Sequence, residues 1–92
     1  MTQNLQVLAQ QQADIFNLFS NSRRLLILWL LEEKELSVGD IADSIGATLQ
    51  NTSQHLRILK DNNLVEARRD GKTVYYRTSP ASHKKYAFLY EH

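Results

Sequence analysis

The residues from 41 to 63, IADSIGATLQNTSQHLRILKDNN, constrain the fold more than any other stretch of the chain. Ile41 and Ile45 lie four residues apart and therefore share one face of a helix. Gly46 follows directly, at the place where a helix ends most easily in the left-handed conformation. The hydroxyl of Thr48 can then cap a second helix by accepting a hydrogen bond from an unpaired backbone N–H. The stretch therefore predicts two helices joined by a tight three-residue turn.

The second of these helices combines a narrow inward face with a long polar one. Its inward side chains are spaced by four and then three residues: they are Thr52, Leu56 and Leu59. The outward face carries hydrogen-bonding groups and one cation, with no carboxylate before Asp61: Gln50, Asn51, Ser53, Gln54 and Arg57. Such a helix behind a tight turn is typical of the recognition helix of a helix-turn-helix. A helical hairpin with an ordinary solvated face is the alternative.

Downstream, Asp70-Gly71 separates two alternating runs, residues 64–69 and 72–77, and this pattern predicts a β-hairpin. With Asp70-Gly71 as a two-residue turn, Arg69 lies opposite Lys72. Alternation then turns four side chains of the hairpin toward the core: Val65, Ala67, Val74 and Tyr76.

The tip of this hairpin is basic. Three cations surround one acid there: Arg68, Arg69 and Lys72. Because like charges that face each other destabilise a strand pair, the predicted opposition of Arg69 and Lys72 indicates a nearby anion. A basic hairpin after a recognition helix is the layout of a winged helix, and a solubilising charged loop is the alternative.

Four further segments complete the predicted organisation. Residues 2–19 form an amphipathic helix that either covers the core or pairs with a second subunit; its apolar side chains are Leu5, Leu8, Ile15, Phe16 and Phe19. Residues 23–33, capped by Asn21 or Ser22, contain the all-apolar run LLILWLL and are predicted to be the central core helix. Residues 34–36 are a short connection, after which Ser37 caps the helix that ends at Ile45. Residues 81–90 follow Ser79-Pro80 as a last helix, expected beside the first one at a dimer contact.

Composition narrows the class of protein. A chain of 92 residues is one domain, and its longest apolar run, residues 25–31, is too short to span a bilayer. The absence of cysteine and of a signal-peptide pattern at the start predicts a soluble, cytoplasmic protein. Residues 1–50 carry three Lys/Arg against six Asp/Glu, whereas residues 51–92 carry eight against four, so the predicted reading half is basic. The histidines and carboxylates form no nucleophile–base or metal-ligand pattern, which argues against an enzyme.

Taken in succession, three segments resemble the ArsR family of bacterial winged-helix repressors. NSRRLLILWLL (21–31) is similar to the family's opening Asp-Pro-x-Arg-x-x-Ile-Leu-x-Leu-Leu, with Ser22 where proline is usual. ELSVGDIADSIG (35–46) is similar to Glu-Leu-Cys-Val-x-Asp-Leu-Ala-x-x-Leu-Gly, and ATLQNTSQHLRILKDNNLVEARRDGKTVYYR (47–77) follows without a gap and resembles the reading helix and wing. The resemblance covers about residues 16–78.

This resemblance implies a mainly α fold with a small β-hairpin wing, in the order α-α-α-α-β-β-α. It also implies a homodimer that binds a palindromic operator on double-stranded DNA and represses transcription. Carried onto this sequence, the DNA-facing residues are Thr48, Leu49, Gln50, Asn51, Ser53, Gln54 and Arg57, with Arg68, Arg69 and Lys72 in the wing. Asn and Gln can bond adenine edges, Arg can bond guanine, and Leu49 can touch a thymine methyl group. A winged helix that binds another protein, or a metal-sensing repressor with a non-cysteine site, is the alternative.

The chain departs from the family's pattern where relatives bind metals. Ser37 and Gly39 stand where many relatives carry thiolate ligands, and neither can replace a thiolate. The tail offers His83, Glu91 and His92 without the paired ligands of relatives that bind zinc there, and His55 is expected to be a packed, hydrogen-bonded residue. No metal and no cofactor are therefore predicted, and the effector, if there is one, is not identified by the sequence.

Overall fold

The computed structural model describes the backbone of residues 2–91 and the side chains of residues 4–91. Over that range the elements are α1 (Thr2–Phe19), α2 (Ser22–Glu33), β1 (Leu36–Ser37), α3 (Val38–Ile45), α4 (Leu49–Asp61), β2 (Val65–Asp70), β3 (Thr73–Thr78), α5 (Pro80–Lys85) and a 3-10 helix (Ala87–Tyr90). This order confirms the predicted mainly helical winged helix-turn-helix.

The core is built around α2. Ile27, Leu28 and Leu31 of this helix are buried to 2% exposure or less, as the all-apolar run predicts. They form one cluster with side chains from α3, α4 and the start of the sheet: Ile41, Leu56, Leu59, Leu64 and Val65. The helix-turn-helix therefore packs directly onto the central helix.

Side-chain caps start the three helices that build this core. The Asn21 side chain accepts from the backbone N of Arg24 at 3.1 Å, so Asn21 is the cap and α2 begins one residue earlier than predicted. The Ser37 hydroxyl accepts from the backbone N of Asp40 at 3.2 Å, and the Thr48 hydroxyl accepts from that of Asn51 at 3.0 Å. Both caps were predicted from the sequence and are confirmed.

Left-handed residues close the two helices of the helix-turn-helix, as predicted. Gly46 has φ +66° after α3, a conformation that is costly for any residue with a Cβ. Asn63 has φ +61° after α4, and asparagine is among the few side chains that tolerate this geometry.

The predicted register of the hairpin is wrong by two residues. Asp70 pairs with Thr73, Arg69 with Val74 and Ala67 with Tyr76, so the turn is Gly71-Lys72 and not Asp70-Gly71. Gly71 has φ +64° at the first turn position, which is the requirement of a type II′ turn. Arg69 does not face Lys72, and the repulsion between them that indicated an anion is therefore absent.

A shift of two residues leaves every side chain on its predicted face, since faces alternate with a period of two. Val65 is buried on the core side, and Val74 and Tyr76 are half-buried. Ala67 is exposed, contrary to the prediction, because this part of β2 extends beyond the core.

The connection after α2 also contains a strand that the sequence did not reveal. Leu36 and Ser37 pair with Tyr76 and Tyr75 of β3, which makes β3 the middle strand of a three-stranded antiparallel sheet. Two residues are too few to show an alternating pattern.

The predicted last helix is broken into two pieces. The α-helix ends at Lys85, Tyr86 has a non-helical backbone (φ −127°, ψ 38°), and a 3-10 turn follows. This break lets the Tyr86 ring meet Phe19 edge-on at 5.0 Å, and it brings the carbonyl of Leu89 within 2.7 Å of the Trp29 indole N–H, which donates to it. The tail therefore packs against the end of α1 and against α2.

Much of α1 leaves its apolar side chains uncovered. Phe19 is buried, but Leu5, Leu8 and Phe16 are 61%, 51% and 64% exposed. Two roles were predicted for α1, and only its C-terminal end fills the first, which is to cover the core of its own subunit. None of the described helices is long and apolar enough to cross a membrane.

Thr52 supplies a test of how the core positions α4. Its side chain is fully buried, and within residues 4–91 its hydroxyl oxygen has no hydrogen-bond partner. Thr52→Val keeps the shape and removes the unbonded hydroxyl, so we expect the free energy of unfolding to rise by about 1 kcal/mol. Urea unfolding at one fixed protein concentration measures this change.

Thr52→Ser is the matched control for this substitution. It retains the hydroxyl but loses a buried methyl group, and we expect it to lower the free energy of unfolding by about 0.8 kcal/mol. If valine also destabilised the protein, the Thr52 hydroxyl would have a favourable role that its surroundings do not show.

Candidate nucleic-acid interface

The outward face of α4 is mostly polar. Burial of Thr52, Leu56 and Leu59, each at 0% exposure, determines which side of the helix faces inward. The predicted reading residues on the opposite side are exposed to solvent: Thr48, Leu49, Gln50, Ser53, Gln54 and Arg57. Asn51 is half-buried at the edge of this face. We call these seven residues the reading face.

Arg57 is free to move toward a ligand. Its closest acidic partner is Asp61, one helical turn later, with 4.0 Å between the Nε of Arg57 and a carboxylate oxygen. Because the two side chains are 84% and 69% exposed, water screens this ion pair and it holds the guanidinium only weakly.

Leu49 adds an apolar spot to the reading face. It is the first residue of α4 and is 59% exposed. The preceding Thr48 caps the helix, and no acid lies in the first turn. The positive end of the helix dipole is therefore uncompensated and favours an anion such as a phosphate.

Two arginines of α2 contact side chains of α4, and neither of them was predicted from the sequence to have a role. Arg23 donates from Nη1 to the side-chain oxygen of Asn51 at 2.6 Å. Arg24 donates from Nε to the carbonyl of Leu18 at 2.8 Å, and its Nη1 lies 3.4 Å from Nδ1 of His55. The sequence shows that the two arginines are adjacent. It gives no local pattern for their contacts with α4, because the partners lie 28 and 31 residues further along the chain.

His55 is packed at the rear edge of α4, as expected. Its partial burial, together with the positive charges of Arg24 and Arg23, lowers the pKa of the imidazole below its usual value. The neutral ring is therefore favoured, and its Nδ1 can accept a hydrogen bond from Arg24.

The three predicted wing cations are not equivalent. Arg68 and Arg69 are adjacent in β2 and therefore point to opposite faces of the sheet. Arg68 donates to Glu35 at 2.6 Å and lies over the ring of Tyr75, 4.9 Å from its centroid. Arg69 and Lys72 are exposed, and neither forms an ion pair with any residue in the range 4–91.

The pairing of Arg68 with Glu35 shifts the pKa of both groups. The hydrogen bond from Arg68 lowers the pKa of the Glu35 carboxyl, and the same bond raises the pKa of the guanidinium. The pair joins the residue before β1 to the outer part of β2, so Arg68 connects the hairpin to the body of the domain.

Of the tail residues considered for metal binding, His83 has other contacts. The Nε2 of His83 is 2.8 Å from the Thr78 hydroxyl, and the ring stacks on Tyr90 with 4.5 Å between centroids. His92 lies outside the described residues. Ser37, at one of the family's thiolate positions, caps α3 with its hydroxyl. Among the residues that the structure describes, no group of three His, Cys, Asp or Glu side chains could hold a metal ion.

Comparison with known proteins places these features in a family. Residues 21–67, which include α2, the helix-turn-helix and the start of β2, match the bacterial regulatory proteins of the arsR family. The HTH-type transcriptional regulator KmtR of Mycobacterium tuberculosis is 38% identical over 64 residues, covering 70% of this chain and 49% of the relative. The chain spans about half the length of the curated relatives that it matches first.

Solved structures agree over a larger share of the chain. NolR from Sinorhizobium fredii superposes with a TM-score of 0.81 at 36% identity, covering 96% of this chain and 89% of NolR. The homodimeric winged helix-turn-helix DNA-binding domain from Mycobacterium bovis gives a TM-score of 0.76 at 38% identity, covering 90% of this chain and 78% of that domain. With the fold, the turn and the reading helix all in agreement, the chain belongs to the arsR family of bacterial regulatory proteins.

Proposed function

We propose that the protein is a transcriptional regulator that binds a specific sequence of double-stranded DNA as a homodimer. The observation that carries this proposal is the exposed, amide-rich and acid-free reading face of α4, beside a wing whose tip carries unpaired cations. Membership of a family of regulatory proteins supports it. Regulation acts through binding and not through catalysis, in the cytoplasm, and repression follows if the operator overlaps a promoter.

Within the reading face, the side chains divide by chemistry. Gln50, Gln54 and Asn51 can bond base edges in the major groove, Arg57 can bond guanine, and Leu49 can contact a thymine methyl group. Thr48 and Ser53 carry hydroxyls suited to phosphates or bases. In the wing, Arg69 and Lys72 are available for phosphates, whereas Arg68 must first give up Glu35.

A homodimer accounts for the apolar surface of α1. Leu5, Leu8, Phe16 and Phe88 are 51–64% exposed, and Phe88 belongs to the tail that packs against α1. A soluble domain rarely leaves such a group of side chains in water, and a second copy would cover them on both subunits at once. The related M. bovis domain is a homodimer. Two reading faces related by a twofold axis would require a palindromic site.

The first test is the selection of bound sequences from a random duplex pool. We expect a palindromic consensus, with an affinity that falls steeply as salt increases. Gln54→Ala and Arg57→Ala should each weaken binding to the consensus by about 1–3 kcal/mol and have a smaller effect on random duplex. Lys60→Ala, which removes an exposed cation of α4 outside the reading face, is the control. Selection of no consensus, or retention of a stoichiometric protein in place of duplex, would exclude this function.

The wing gives a second prediction. Arg69→Ala should weaken binding to all sequences similarly and reduce the slope of log affinity against log salt by about one unit, because one phosphate contact is lost. Arg68→Ala should instead lower the melting temperature, since it releases Glu35 from its partner. Equal effects of the two substitutions on the salt slope would contradict this division of roles.

The dimer contact is tested by introducing charge. Leu8→Glu and Phe16→Glu are expected to give monomers in analytical ultracentrifugation, because burial of an unpaired carboxylate is unfavourable. Leu49→Glu changes an equally exposed leucine on the reading face, and it should leave the dimer intact. A wild-type chain that stayed monomeric at high concentration would rule out the homodimer.

A further inference from the structure

We propose that Arg23 is a specificity-positioning residue, which turns the Asn51 amide so that its N–H groups face the DNA and its oxygen faces the protein. This inference rests on the proposed function, since it concerns which base Asn51 reads. It starts from the 2.6 Å hydrogen bond from Nη1 of Arg23 to Oδ1 of Asn51. An arginine can only donate, so this contact identifies the atom beside it as the amide oxygen.

Asn51 is held on two sides. Its backbone N–H donates to the Thr48 cap at 3.0 Å, and its side-chain oxygen accepts from Arg23. Within residues 4–91, the amide nitrogen Nδ2 donates no hydrogen bond. The half-buried Asn51 therefore offers the solvent side two free donors, at the edge of a face where the neighbouring residues are exposed.

Arg23, and not its neighbour Arg24, takes this position. Arg24, the next residue, is occupied by the carbonyls of Leu18 and Asn17 and by His55. Arg23 lies in the first turn of α2, exposed, and reaches across to the first turn of α4. The contact is thus between two helix starts, each fixed by its own side-chain cap.

This orientation determines which base Asn51 can read. An asparagine recognises adenine by using both ends of its amide, with Nδ2 donating to N7 and Oδ1 accepting from N6. With Oδ1 turned toward Arg23, only the donor end is presented. The favoured partner is then a base edge that offers two acceptors to the two amide donors. Guanine does so with N7 and O6, whereas thymine offers O4 alone and adenine offers N7 beside a donor. Arg23 consequently selects guanine over adenine at one base pair of each half-site.

The test is a base-substitution scan of the selected operator with wild-type protein, Arg23→Ala, Asn51→Ala and the double variant. For wild type we expect a preference for guanine over adenine of about tenfold or more at one pair of each half-site. Arg23→Ala should reduce or reverse that preference and leave the other positions unchanged. In the Asn51→Ala background, loss of Arg23 should have no further effect at that pair, because the two residues act as a unit.

Two controls separate positioning from charge and from folding. Lys34→Ala removes one cation from the exposed C-terminal end of α2, and it should leave the base preference unchanged. Arg23→Lys keeps a donor and should retain part of the preference. Thermal unfolding of each variant shows that the domain remains folded, as expected for an exposed side chain.

The outcomes also distinguish this inference from the proposed function. If wild-type protein selects no sequence, the proposed function fails. If wild type selects a consensus but Arg23→Ala weakens binding uniformly and lowers the salt slope by about one unit, Arg23 is a phosphate contact and the inference is overturned. A consensus with adenine at the position that Asn51 reads would overturn it as well.

Discussion

The outward face of α4 exists because the opposite face is completely buried. Thr52, Leu56 and Leu59 have no exposed surface, and they determine the rotation of the helix about its own axis. A rotation of one residue, about 100°, would turn all three side chains away from the apolar cluster and bring a polar one, Asn51 or Ser53, into the place of Thr52. The apolar contacts that stabilise the domain are therefore the same ones that aim Gln50, Gln54 and Arg57 away from it.

Local sequence signals were sufficient for the helix-turn-helix. Gly46, Thr48 and Asn63 each act within four residues of their own position, through a left-handed backbone or a side-chain cap. The periodic burial of α4 is equally local. For this reason the turn, the capping hydroxyls, the inward stripe and the exposure of the reading face could all be predicted from residue spacing.

The hairpin shows where local signals become ambiguous. Asp70-Gly71 and Gly71-Lys72 are both acceptable two-residue turns: Asp-Gly suits a type I′ turn, in which both residues have positive φ, and a glycine in the first position suits a type II′ turn. The choice depends on longer contacts: Glu66 pairs with Arg77 at 3.0 Å, and Arg68 stacks on Tyr75, its cross-strand neighbour. The pairing of β1 with β3 spans only two residues, which is too short for an alternating pattern to indicate it.

The contacts that could not be predicted from the sequence are those between side chains of separate helices. Arg24 bonds the last carbonyls of α1 and lies against His55, while its neighbour Arg23 holds Asn51. Arg23 and Arg24, at the start of α2, thus connect the C-terminal end of α1 with α4. The apolar side chains of α1 are the ones that remain exposed. Both arginines extend from α2, which is buried along Ile27, Leu28 and Leu31. A subunit contact along α1 would therefore act on the same central helix that holds Asn51, so the geometry of the dimer and the proposed reading of bases would both depend on α2.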